Sequence, residues 1–387
     1  MDVFEKVNTS NEGFYADLGE LNDIQSKLAT LPDLIHYNEV DTLRQHLIKV
    51  FDQQAFLIQI GDCAERFTDA SQTITHLKYK QFVFFKALIE HAIKTPVIVV
   101  GRIAGQYAKP RSHQMEVIGD KKVYAYHGDM INHEHASQPR TPDPLRMLQA
   151  YHASNKILAH LANYEEKIFT SHECFLLDYE KPLTRCRENV LYNLSTHLPW
   201  LGMRHLDSKS HITYLSKINN PIAIKIGANA SIPSILSVIQ TLNPKNVIGK
   251  LILVSRLGIN HVFGMLPKII AAIQDNHLNV IWMCDPLHGN TQSDVYGKKF
   301  RLLEHAMDET MITCDILRQN NLQLGGLHLE VSYKTDILEC IESFDELTEH
   351  RVYDSAVDPR LNHNQCITYF NKILKNIKSV DQIAIRQ

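Results

Sequence analysis

Continuous apolar runs of strand length recur along the chain, separated by segments with helical periodicity. Most runs are uninterrupted rather than alternating, which is typical of parallel strands that helices cover. The eight candidate strands span residues 56–60, 97–100, 174–177, 190–194, 222–226, 251–254, 280–283 and 327–331. Helices are predicted between them over residues 76–94, over 262–273 with a kink at Pro267, and from Asp143 as N-cap with Pro144 at the first helical position.

Eight strands alternating with helices predict an α/β fold, a TIM (β/α)8 barrel. An open, doubly wound parallel sheet stays an alternative because periodicity alone does not separate the two. Residues 1–54 carry helical signals of their own, such as Asp41 before Leu43 and Leu47. We therefore predict an N-terminal helical extension over 1–54, packed on the barrel or on a neighbouring subunit, and a catalytic barrel domain over 55–387.

Composition narrows the class of protein further. A formal net charge of -3 over 387 residues argues against nucleic-acid binding, since no large basic surplus exists. No apolar run reaches the ~20 residues that cross a bilayer, and the N-terminus lacks a signal-peptide core. The seven cysteines are odd in number and form no C-x-x-C pair, so we expect free, mostly buried thiols. We predict a cytoplasmic homo-oligomer with no membrane or nucleic-acid partner.

Candidate chemistry concentrates in GRIAGQYAKPRS, residues 101–112, which follows the second apolar run. This segment delivers Arg102, Lys109, Arg111 and Ser112 from one strand end and a glycine-containing turn. Arginine presents a planar fork to carboxylate or phosphate, and lysine presents a compact point charge. A basic surface loop would supply the same charges, but the combination favours an anion site.

The segment resembles the class II (plant-type) 3-deoxy-D-arabino-heptulosonate 7-phosphate (DAHP) synthases, in particular the short members found in phenazine pathways. Further segments resemble the same family in the same order: QIGDCAERF (59–67), YHGDMIN (126–132), TSHECFLLDYE (170–180), STHLPWLGMR (195–204), NPIAIKIG (220–227), LILVSRLG (251–258), VIWMCDPLHGNT (280–291), GLHLEV (326–331) and DPRLN (358–362). The resemblance implies the barrel. It also implies condensation of phosphoenolpyruvate with erythrose 4-phosphate, the first step of the shikimate pathway.

The resemblance implies a metal site formed by Cys63, His288, Glu330 and Asp358. One thiolate, one imidazole and two carboxylates suit a divalent transition ion, Mn²⁺ in the first place, with Co²⁺, Fe²⁺ and Zn²⁺ as alternatives. Taken singly, each residue has an ordinary structural explanation, such as a buried cysteine or a turn histidine. No local zinc-finger or H-E-x-x-H spacing supports the site independently.

The resemblance also divides the cations between two substrates. Phosphoenolpyruvate is assigned to four side chains and the backbone at Met203; these side chains are Arg102, Arg204, Lys225 and Arg256. The phosphate of erythrose 4-phosphate is assigned to Arg111 and Ser112, with Lys109 between the substrates. Lys109 or His288 could donate a proton to the new alkoxide, and we favour Lys109 because the metal would occupy His288.

The chain departs from the family pattern at several positions. Met203 stands where the family usually has Glu, and His127 where it has Arg. Ala228 and Asn229 replace a common Pro-Thr, and Phe300 replaces the Thr of a K-T-R segment. These departures keep two alternatives open: a phosphoenolpyruvate-dependent synthase using another aldose phosphate, such as an amino-sugar phosphate, and a non-catalytic metabolite-binding homologue.

Overall fold

A closed barrel of eight parallel strands forms the centre of the computed structural model, which describes residues 14–378 except 119, 136 and 139. Barrel strands 1 to 8 are Phe56–Gly61, Val97–Arg102, Phe169–Glu173, Leu198–Leu201, Ile222–Gly227, Leu251–Arg256, Ile281–Cys284 and Gly326–Glu330. Each strand pairs with its neighbours in chain order, and strand 1 pairs in parallel with strand 8 to close the barrel. The predicted TIM barrel is confirmed, and the open sheet is excluded.

Helices alternate with the barrel strands. The α-helices α1 to α10 are Leu18–Thr30, Tyr37–Phe51, Gln72–Ile93, Leu145–Leu161, Leu177–Glu180, Lys209–Lys217, Ile232–Leu242, Val262–Asp275, Leu303–Gln319 and His363–Lys378, and short 3-10 helices lie at Phe67–Asp69, Met203–His205, His288–Asn290 and Phe344–Glu346. Helices α3 and α8 confirm the helices predicted over residues 76–94 and 262–273. Helix α4 begins one residue later than predicted, after Pro144, while Asp143 still accepts the N–H of Leu145 at 2.9 Å. Within the described ranges, no helix is both long and apolar enough to cross a membrane.

Among the described residues, seven short strands form three small sheets outside the barrel. They form a hairpin of Met115–Ile118 with Lys121–Tyr124, a hairpin of Thr184–Arg187 with Val190–Asn193, and a three-stranded sheet of Gln292–Ser293, Lys299–Leu302 and Cys340–Ile341. Two strands of the three-stranded sheet follow barrel strand 7 and the third follows barrel strand 8, so the sheet lies beside the C-terminal ends of the barrel strands. All seven cysteines are free, and six of them are buried.

Two predicted barrel strands are wrong. Residues 174–177 follow barrel strand 3 instead of forming it, and the strand within 190–194 belongs to a hairpin outside the barrel. Strand 3 escapes the apolar pattern because its buried side chains are polar and satisfied by neighbours. Ser171 donates to the Gly101 carbonyl at 3.0 Å and accepts from Gln59 Nε2 at 2.9 Å. Because strands are predicted from their apolar residues, a strand with polar side chains in the barrel interior has the sequence pattern of a loop.

The first two helices pack on the barrel of the same chain. Helix α2 places Leu43, Leu47 and Val50 in one apolar cluster with Leu57 and Ile281, at the N-terminal ends of strands 1 and 7. Helix α1 contacts α4 and α5 on the side of the barrel. Residues 1–13 of the predicted extension lie outside the described residues, and the division at 54/55 stays a prediction.

Candidate active site

The predicted site residues meet at the C-terminal ends of the barrel strands. Arg102, Arg256 and Glu330 are the last residues of strands 2, 6 and 8. Cys63 lies two residues after strand 1, and His288 begins the 3-10 helix that follows strand 7. This is the end of a TIM barrel at which loops from several strands form active sites.

The four predicted metal ligands converge around Glu330. The Nε2 atom of His288 lies 2.9 Å from Glu330 Oε1, and Cys63 Sγ lies 3.7 Å from Asp358 Oδ2. Ligand atoms of Cys63, Glu330 and Asp358 all lie within 4.8 Å of one another. Cys63 and Glu330 lie 267 positions apart in the chain, but they are neighbours because strands 1 and 8 pair.

The ammonium group of Lys109 lies among these ligand atoms. Its Nζ is 2.8 Å from Cys63 Sγ and 3.1 Å from both Glu330 Oε1 and Asp358 Oδ2. Burial alone would lower the pKa of Lys109, but Cys63 and the two carboxylates raise it. Burial, and next the charge of Glu330, raises the pKa of the Cys63 thiol to about 12. The donor atoms thus already surround a cation, which fits the proposed metal set in charge and convergence.

Asp285, which sequence analysis did not select, orients His288. Its Oδ2 lies 2.7 Å from His288 Nδ1 and 3.1 Å from Lys225 Nζ. Burial would raise the pKa of Asp285, but His288 and Lys225 hold it well below its usual range. Because Nδ1 is engaged, Nε2 of His288 faces Glu330, as a metal-binding imidazole requires. The only sequence signal is its place three residues before His288.

Two buried arginines hold the carboxylate of Glu330. Arg301 Nη1 lies 2.9 Å from Oε2, and Arg102 Nη2 lies 3.0 Å from Oε1. Arg102 also contacts His328 Nε2 at 2.6 Å and stacks 4.9 Å above the Trp200 ring. Burial would raise the pKa of Glu330, but His288, Lys109 and both arginines hold it well below its usual range. Glu330 is therefore charged and fixed at both oxygens.

A cavity of about 210 Å³ opens beside this cluster. Its walls are Arg102, Lys109, Glu173, Trp200, Gly202, Met203, Arg204, Lys225, Arg256, His288, Thr291, Lys299 and Asp358. Arg256 Nη2 donates to the His288 carbonyl at 3.1 Å, and no carboxylate of the residues described lies within 4 Å of its nitrogens. Burial lowers the pKa of Lys225 to about 8, and Asp285 partly offsets that effect. The cavity is therefore strongly cationic.

Glu173 is an acid of this cavity that sequence analysis missed. A Cβ atom added to Gly202 would lie 1.8 Å from Glu173 Oε1, so the carboxylate packs directly on that glycine. The Glu173 N–H donates to Gln106 Oε1 at 2.9 Å, which ties strand 3 to the loop after strand 2. Glu173 thus places one carboxylate beside Met203, where the family's usual Glu is missing.

A second cavity of about 220 Å³ adjoins the first. Its walls are Pro110, Arg111, Ser112, His113, Met115, Glu116, Ala125, Arg204, Lys299, Val357 and Asp358, so Arg204, Lys299 and Asp358 border both cavities. Arg204 Nη2 donates to Ser112 Oγ at 3.0 Å. Among the residues that the structure describes, Arg111 makes only long contacts, 3.5 Å to the Tyr126 carbonyl and 3.9 Å to Glu116. Arg111 and Ser112 therefore line only the second cavity, whereas Arg204 lies at the boundary between the two cavities.

Glu65 holds the loop that carries Lys109. Its buried carboxylate accepts three successive backbone N–H groups, from Ala104 at 3.1 Å and from Gly105 and Gln106 at 2.9 Å each. Ala104 has φ 61°, in the left-handed region that a non-glycine residue rarely adopts. The carboxylate stabilises this turn because it satisfies every N–H that the turn exposes inward.

Glu309, on helix α9, plays a similar part for the loops after strands 6 and 7. Its Oε1 accepts the N–H groups of Leu257 at 3.1 Å and Gly258 at 2.8 Å, next to Arg256. Its Oε2 accepts from Asn290 Nδ2 at 2.7 Å, in the 3-10 helix of His288. Burial raises the pKa of Glu309 to about 8, against the effect of the Gly258 N–H. One carboxylate thus joins the Arg256 loop to the His288 loop.

The departures from the family pattern have distinct settings. Met203 Sδ lies 3.4 Å from Arg256 Nη1 in the first cavity wall. His127 is buried with its ring 4.8 Å from that of Phe14, and burial and then Arg111 lower its pKa to about 4. Phe300 belongs to a small apolar cluster with Ile341. Of these side chains, Met203 alone lines a substrate-sized cavity described above.

Sequence comparison gives a family for this geometry. The model of the class-II DAHP synthetase family matches residues 1–166 and 159–373. A phospho-2-dehydro-3-deoxyheptonate aldolase of Neurospora crassa is 32% identical over 91% of this chain and 89% of its own length. One of Streptomyces coelicolor is 32% identical, over 91% and 92%. A probable phospho-2-dehydro-3-deoxyheptonate aldolase of Pseudomonas fluorescens is 34% identical over 92% of both chains.

Structural comparison agrees on the fold. A solved phospho-2-dehydro-3-deoxyheptonate aldolase of Francisella tularensis aligns with a TM-score of 0.57, covering 93% of this chain and 97% of its own, at 13% identity. At that identity the likeness concerns the barrel alone. From the family model and the sequence relatives, the chain belongs to the class-II DAHP synthetase family, as an enzyme of the 3-deoxy-7-phosphoheptulonate synthase type.

Proposed function

We propose that the chain condenses phosphoenolpyruvate with erythrose 4-phosphate to give DAHP and inorganic phosphate. The observation that carries the proposal is the pair of adjoining cationic cavities next to a cluster of metal-ligating side chains. Two phosphates and one carboxylate must be held close together in this reaction, so an excess of fixed cations is required. The family's named reaction and the geometry point to the same chemistry.

Cys63, His288, Glu330 and Asp358 are the proposed metal ligands. The donor atoms of Cys63, Glu330 and Asp358 converge around the Lys109 ammonium, and His288 Nε2 lies 2.9 Å from Glu330 Oε1. When bound, a divalent ion such as Mn²⁺ would supply Lewis-acid polarisation of the acceptor aldehyde. Asp285 keeps His288 in the orientation that a ligand needs, and Arg301 holds the far oxygen of Glu330.

The first cavity is the proposed phosphoenolpyruvate site. Arg256 has no carboxylate partner among the residues that the structure covers, so its guanidinium is available to a phosphate. Lys225 and Arg102 add charge, although Arg102 also makes several internal contacts. The backbone at Met203 and the side chain of Arg204 complete the proposed clamp.

The second cavity is the proposed site for the phosphate of erythrose 4-phosphate, with Arg111 and Ser112 as its main contacts. The long contacts of Arg111 leave its guanidinium nitrogens open to a phosphate. Asp358 borders both cavities, so an acceptor held by its phosphate in the second cavity would reach the metal ligands with its aldehyde end.

In the proposed reaction, carbon 3 of phosphoenolpyruvate bonds to the aldehyde carbon, and the aldehyde oxygen takes a proton from Lys109 Nζ. Water then adds at carbon 2 and gives up a proton that restores the Lys109 ammonium. The resulting hemiketal phosphate collapses to the ketone, and its hydroxyl proton leaves with the inorganic phosphate. Lys109 is preferred to His288 as proton donor because Asp285 engages Nδ1 of His288 and a bound metal would occupy its Nε2. The fixed cations stabilise the developing charge.

Phosphate release from phosphoenolpyruvate plus erythrose 4-phosphate tests the proposal, with and without Mn²⁺. We expect turnover with metal, its loss on chelation, and its recovery when metal is restored. The variant Cys63→Ser should bind Mn²⁺ far more weakly in calorimetry, since a hydroxyl replaces a thiolate poorly. Full activity of a metal-free preparation would contradict the metal assignment.

Acceptor specificity is tested by a panel of aldose phosphates. Faster turnover of an amino-sugar phosphate than of erythrose 4-phosphate would favour the alternative synthase. Binding of phosphoenolpyruvate without phosphate release from any acceptor would favour the non-catalytic homologue. We also propose that the enzyme works in the cytoplasm as a homo-oligomer, and its free cysteines support a reducing compartment. Light scattering of the purified protein tests the oligomeric state.

A further inference from the structure

Arg102, whose guanidinium lines the first cavity, is held by protein acceptors at nearly every N–H group. Its Nε donates to the Asp62 carbonyl at 2.8 Å, and its Nη2 donates to the Cys63 carbonyl at 3.1 Å and to Glu330 Oε1 at 3.0 Å. Its Nη1 donates to His328 Nε2 at 2.6 Å. A guanidinium has five N–H groups. Among the residues that the structure describes, only the second N–H of Nη1 therefore lacks an acceptor, which leaves it for a ligand in the cavity.

The imidazole of His328 faces Arg102 with the lone pair of Nε2, because a guanidinium can only donate. The proton of the neutral ring therefore lies on Nδ1, which donates to Gln59 Oε1 at 2.7 Å. Gln59 and His328 are register partners on strands 1 and 8, and both side chains are fully buried. Only this tautomer of His328 makes both hydrogen bonds.

Hydrogen bonds beyond Gln59 fix this tautomer. The Gly101 carbonyl can only accept, so the Ser171 hydroxyl donates to it at 3.0 Å. The Ser171 oxygen then accepts from Gln59 Nε2 at 2.9 Å, which leaves Gln59 Oε1 for His328 Nδ1. Ser171, Gln59 and His328 thus form a hydrogen-bond relay with one direction. The relay begins at Gly101 and ends at Arg102, which are consecutive residues of strand 2.

The relay gives Arg102 an acceptor that carries no charge. Glu330 is the carboxylate among the acceptors described above, and it is shared with Lys109 and Arg301. A neutral imidazole therefore holds Nη1 without cancelling the charge that an anion meets in the cavity. The other tautomer would turn an N–H of His328 toward an N–H of Arg102, and the two donors would displace the guanidinium.

We propose that His328 is a positioning residue for phosphoenolpyruvate, and that Gln59 and Ser171 hold it in the tautomer that Arg102 requires. The proposal rests on the proposed function, because it concerns the phosphoenolpyruvate site. Neither cavity is lined by any of the three relay residues, so they act on the substrate through Arg102. The relay keeps one N–H of Nη1 directed at His328 and the other directed at the substrate.

Calorimetry and steady-state kinetics of the Mn²⁺-loaded enzyme test the proposal. His328→Phe keeps a buried ring but removes the acceptor, so the Kd and the KM for phosphoenolpyruvate should rise by about 10-fold or more, the usual loss for a hydrogen bond to a charged group. Gln59→Leu releases the tautomer and should raise both by about 3- to 10-fold, as for a hydrogen bond between neutral groups. The KM for erythrose 4-phosphate and the Mn²⁺ affinity should stay within about twofold. His328→Gln, which keeps an amide oxygen for Arg102, should recover part of the affinity.

The matched control is His197→Phe. His197 is also a buried histidine, and its Nδ1 lies 2.9 Å from both the backbone nitrogen and the hydroxyl of Thr170. It precedes strand 4, at the end of the barrel opposite the site, and it lines neither cavity. Its loss should lower stability without changing the Kd for phosphoenolpyruvate. If His328→Phe does not fold, Ser171→Ala removes the start of the relay, leaves the ring in place and should still raise that Kd by about twofold or more.

The proposal is overturned if His328→Phe, or Ser171→Ala in its place, keeps the phosphoenolpyruvate Kd, or if His197→Phe raises that Kd equally. An unchanged Kd in Gln59→Leu refutes the relay. A loss of Mn²⁺ affinity with an unchanged phosphoenolpyruvate Kd also overturns the proposal, because His328 would then act through Asp285, whose Oδ2 lies 3.9 Å from His328 Nε2. If the unsubstituted enzyme binds phosphoenolpyruvate but releases no phosphate, the proposed function fails, and weaker binding by His328→Phe still supports the positioning role.

Discussion

Glu65 and Glu309 are two buried carboxylates that organise different sides of the candidate site. Glu65 accepts three successive N–H groups within one loop, whereas Glu309 accepts from two loops and so joins them. Burial raises the pKa of both carboxyls. At Glu65 the charge of Lys78 is the main effect that lowers the pKa, whereas at Glu309 it is the hydrogen bond from the Gly258 N–H. The Glu65 side carries Lys109, and the Glu309 side carries Arg256.

The comparison shows two ways of fixing loops that have no regular structure. A single turn with an unusual backbone conformation, at Ala104, needs all its inward N–H groups satisfied by one partner. In the loops that Glu309 joins, the left-handed residue is a glycine, Gly258 with φ 82°, which adopts this conformation without strain, so these loops need only a shared partner that sets their separation. We therefore expect Glu65 to be the more sensitive position, in both folding and catalysis.

The largest effect is expected for Glu65→Gln. Glutamine keeps one acceptor oxygen but turns an amide donor toward N–H groups, so at least one buried donor loses its partner. That should lower the free energy of unfolding by about 1–3 kcal/mol. Because Lys109 follows the same loop, phosphate release should fall by about 100-fold. Denaturant unfolding and steady-state assays measure the two effects.

The control for this variant is Glu304→Gln, on the exposed side of helix α9. It removes a solvent-exposed charge from a side chain of the same length. Because Glu304 lies in the first turn of the helix, the free energy of unfolding should fall by no more than about 0.3–1 kcal/mol, and the rate should not change. Unfolding and turnover of Glu65→Gln that match those of the control would refute the part assigned to Glu65.

A smaller effect is expected for Glu309→Gln. Its Oε1 can still accept from Leu257 and Gly258, but its new amide faces Asn290 Nδ2, donor against donor. We expect a loss of about 1 kcal/mol in unfolding free energy. The KM for phosphoenolpyruvate should rise several-fold, because Arg256 and His288 lose their common support. An effect larger than that of Glu65→Gln would reverse the comparison.

The raised pKa of Glu309 predicts a pH dependence of stability. Between the ordinary carboxyl pKa and about 8, the folded protein holds a proton that the unfolded chain has lost. Stability from this group is therefore lost as pH rises through that window. Unfolding free energies at several pH values should fall more steeply for the unsubstituted protein than for Glu309→Gln. Parallel slopes for the two proteins would contradict the assignment.

The smallest effect is expected for Met203→Glu, which adds a carboxylate to the Glu309 side of the site. Met203 Sδ already lies 3.4 Å from Arg256 Nη1, so the new acid would pair with that guanidinium. If the position serves phosphate through its backbone, turnover should stay within a few-fold and the KM for phosphoenolpyruvate should rise slightly. A gain of about 10-fold in turnover would instead show that an acid at this position organises the attacking water.

Local sequence determined most of the elements, and the family resemblance supplied the ligand set. The apolar runs at 222–226, which only Lys225 interrupts, and at 251–254 became barrel strands because buried parallel strands need apolar residues on both faces. Strand 3 was not predictable in this way, since Ser171 and its polar neighbours are satisfied by other strands. The strand within 190–194 was misplaced because an apolar run does not reveal which sheet it joins.

Only the tertiary structure decided how these residues act together. Cys63 and Glu330 meet because strand 1 closes against strand 8, a contact that no local pattern encodes. The parts played by Glu65, Asp285 and Glu309 depend on distances near 3 Å from each carboxylate to the backbone N–H groups or side chains of the loops that form the site. Hydrophobic burial is read from short stretches of chain, whereas hydrogen bonds and ion pairs in a site exist only after the barrel has brought distant segments together.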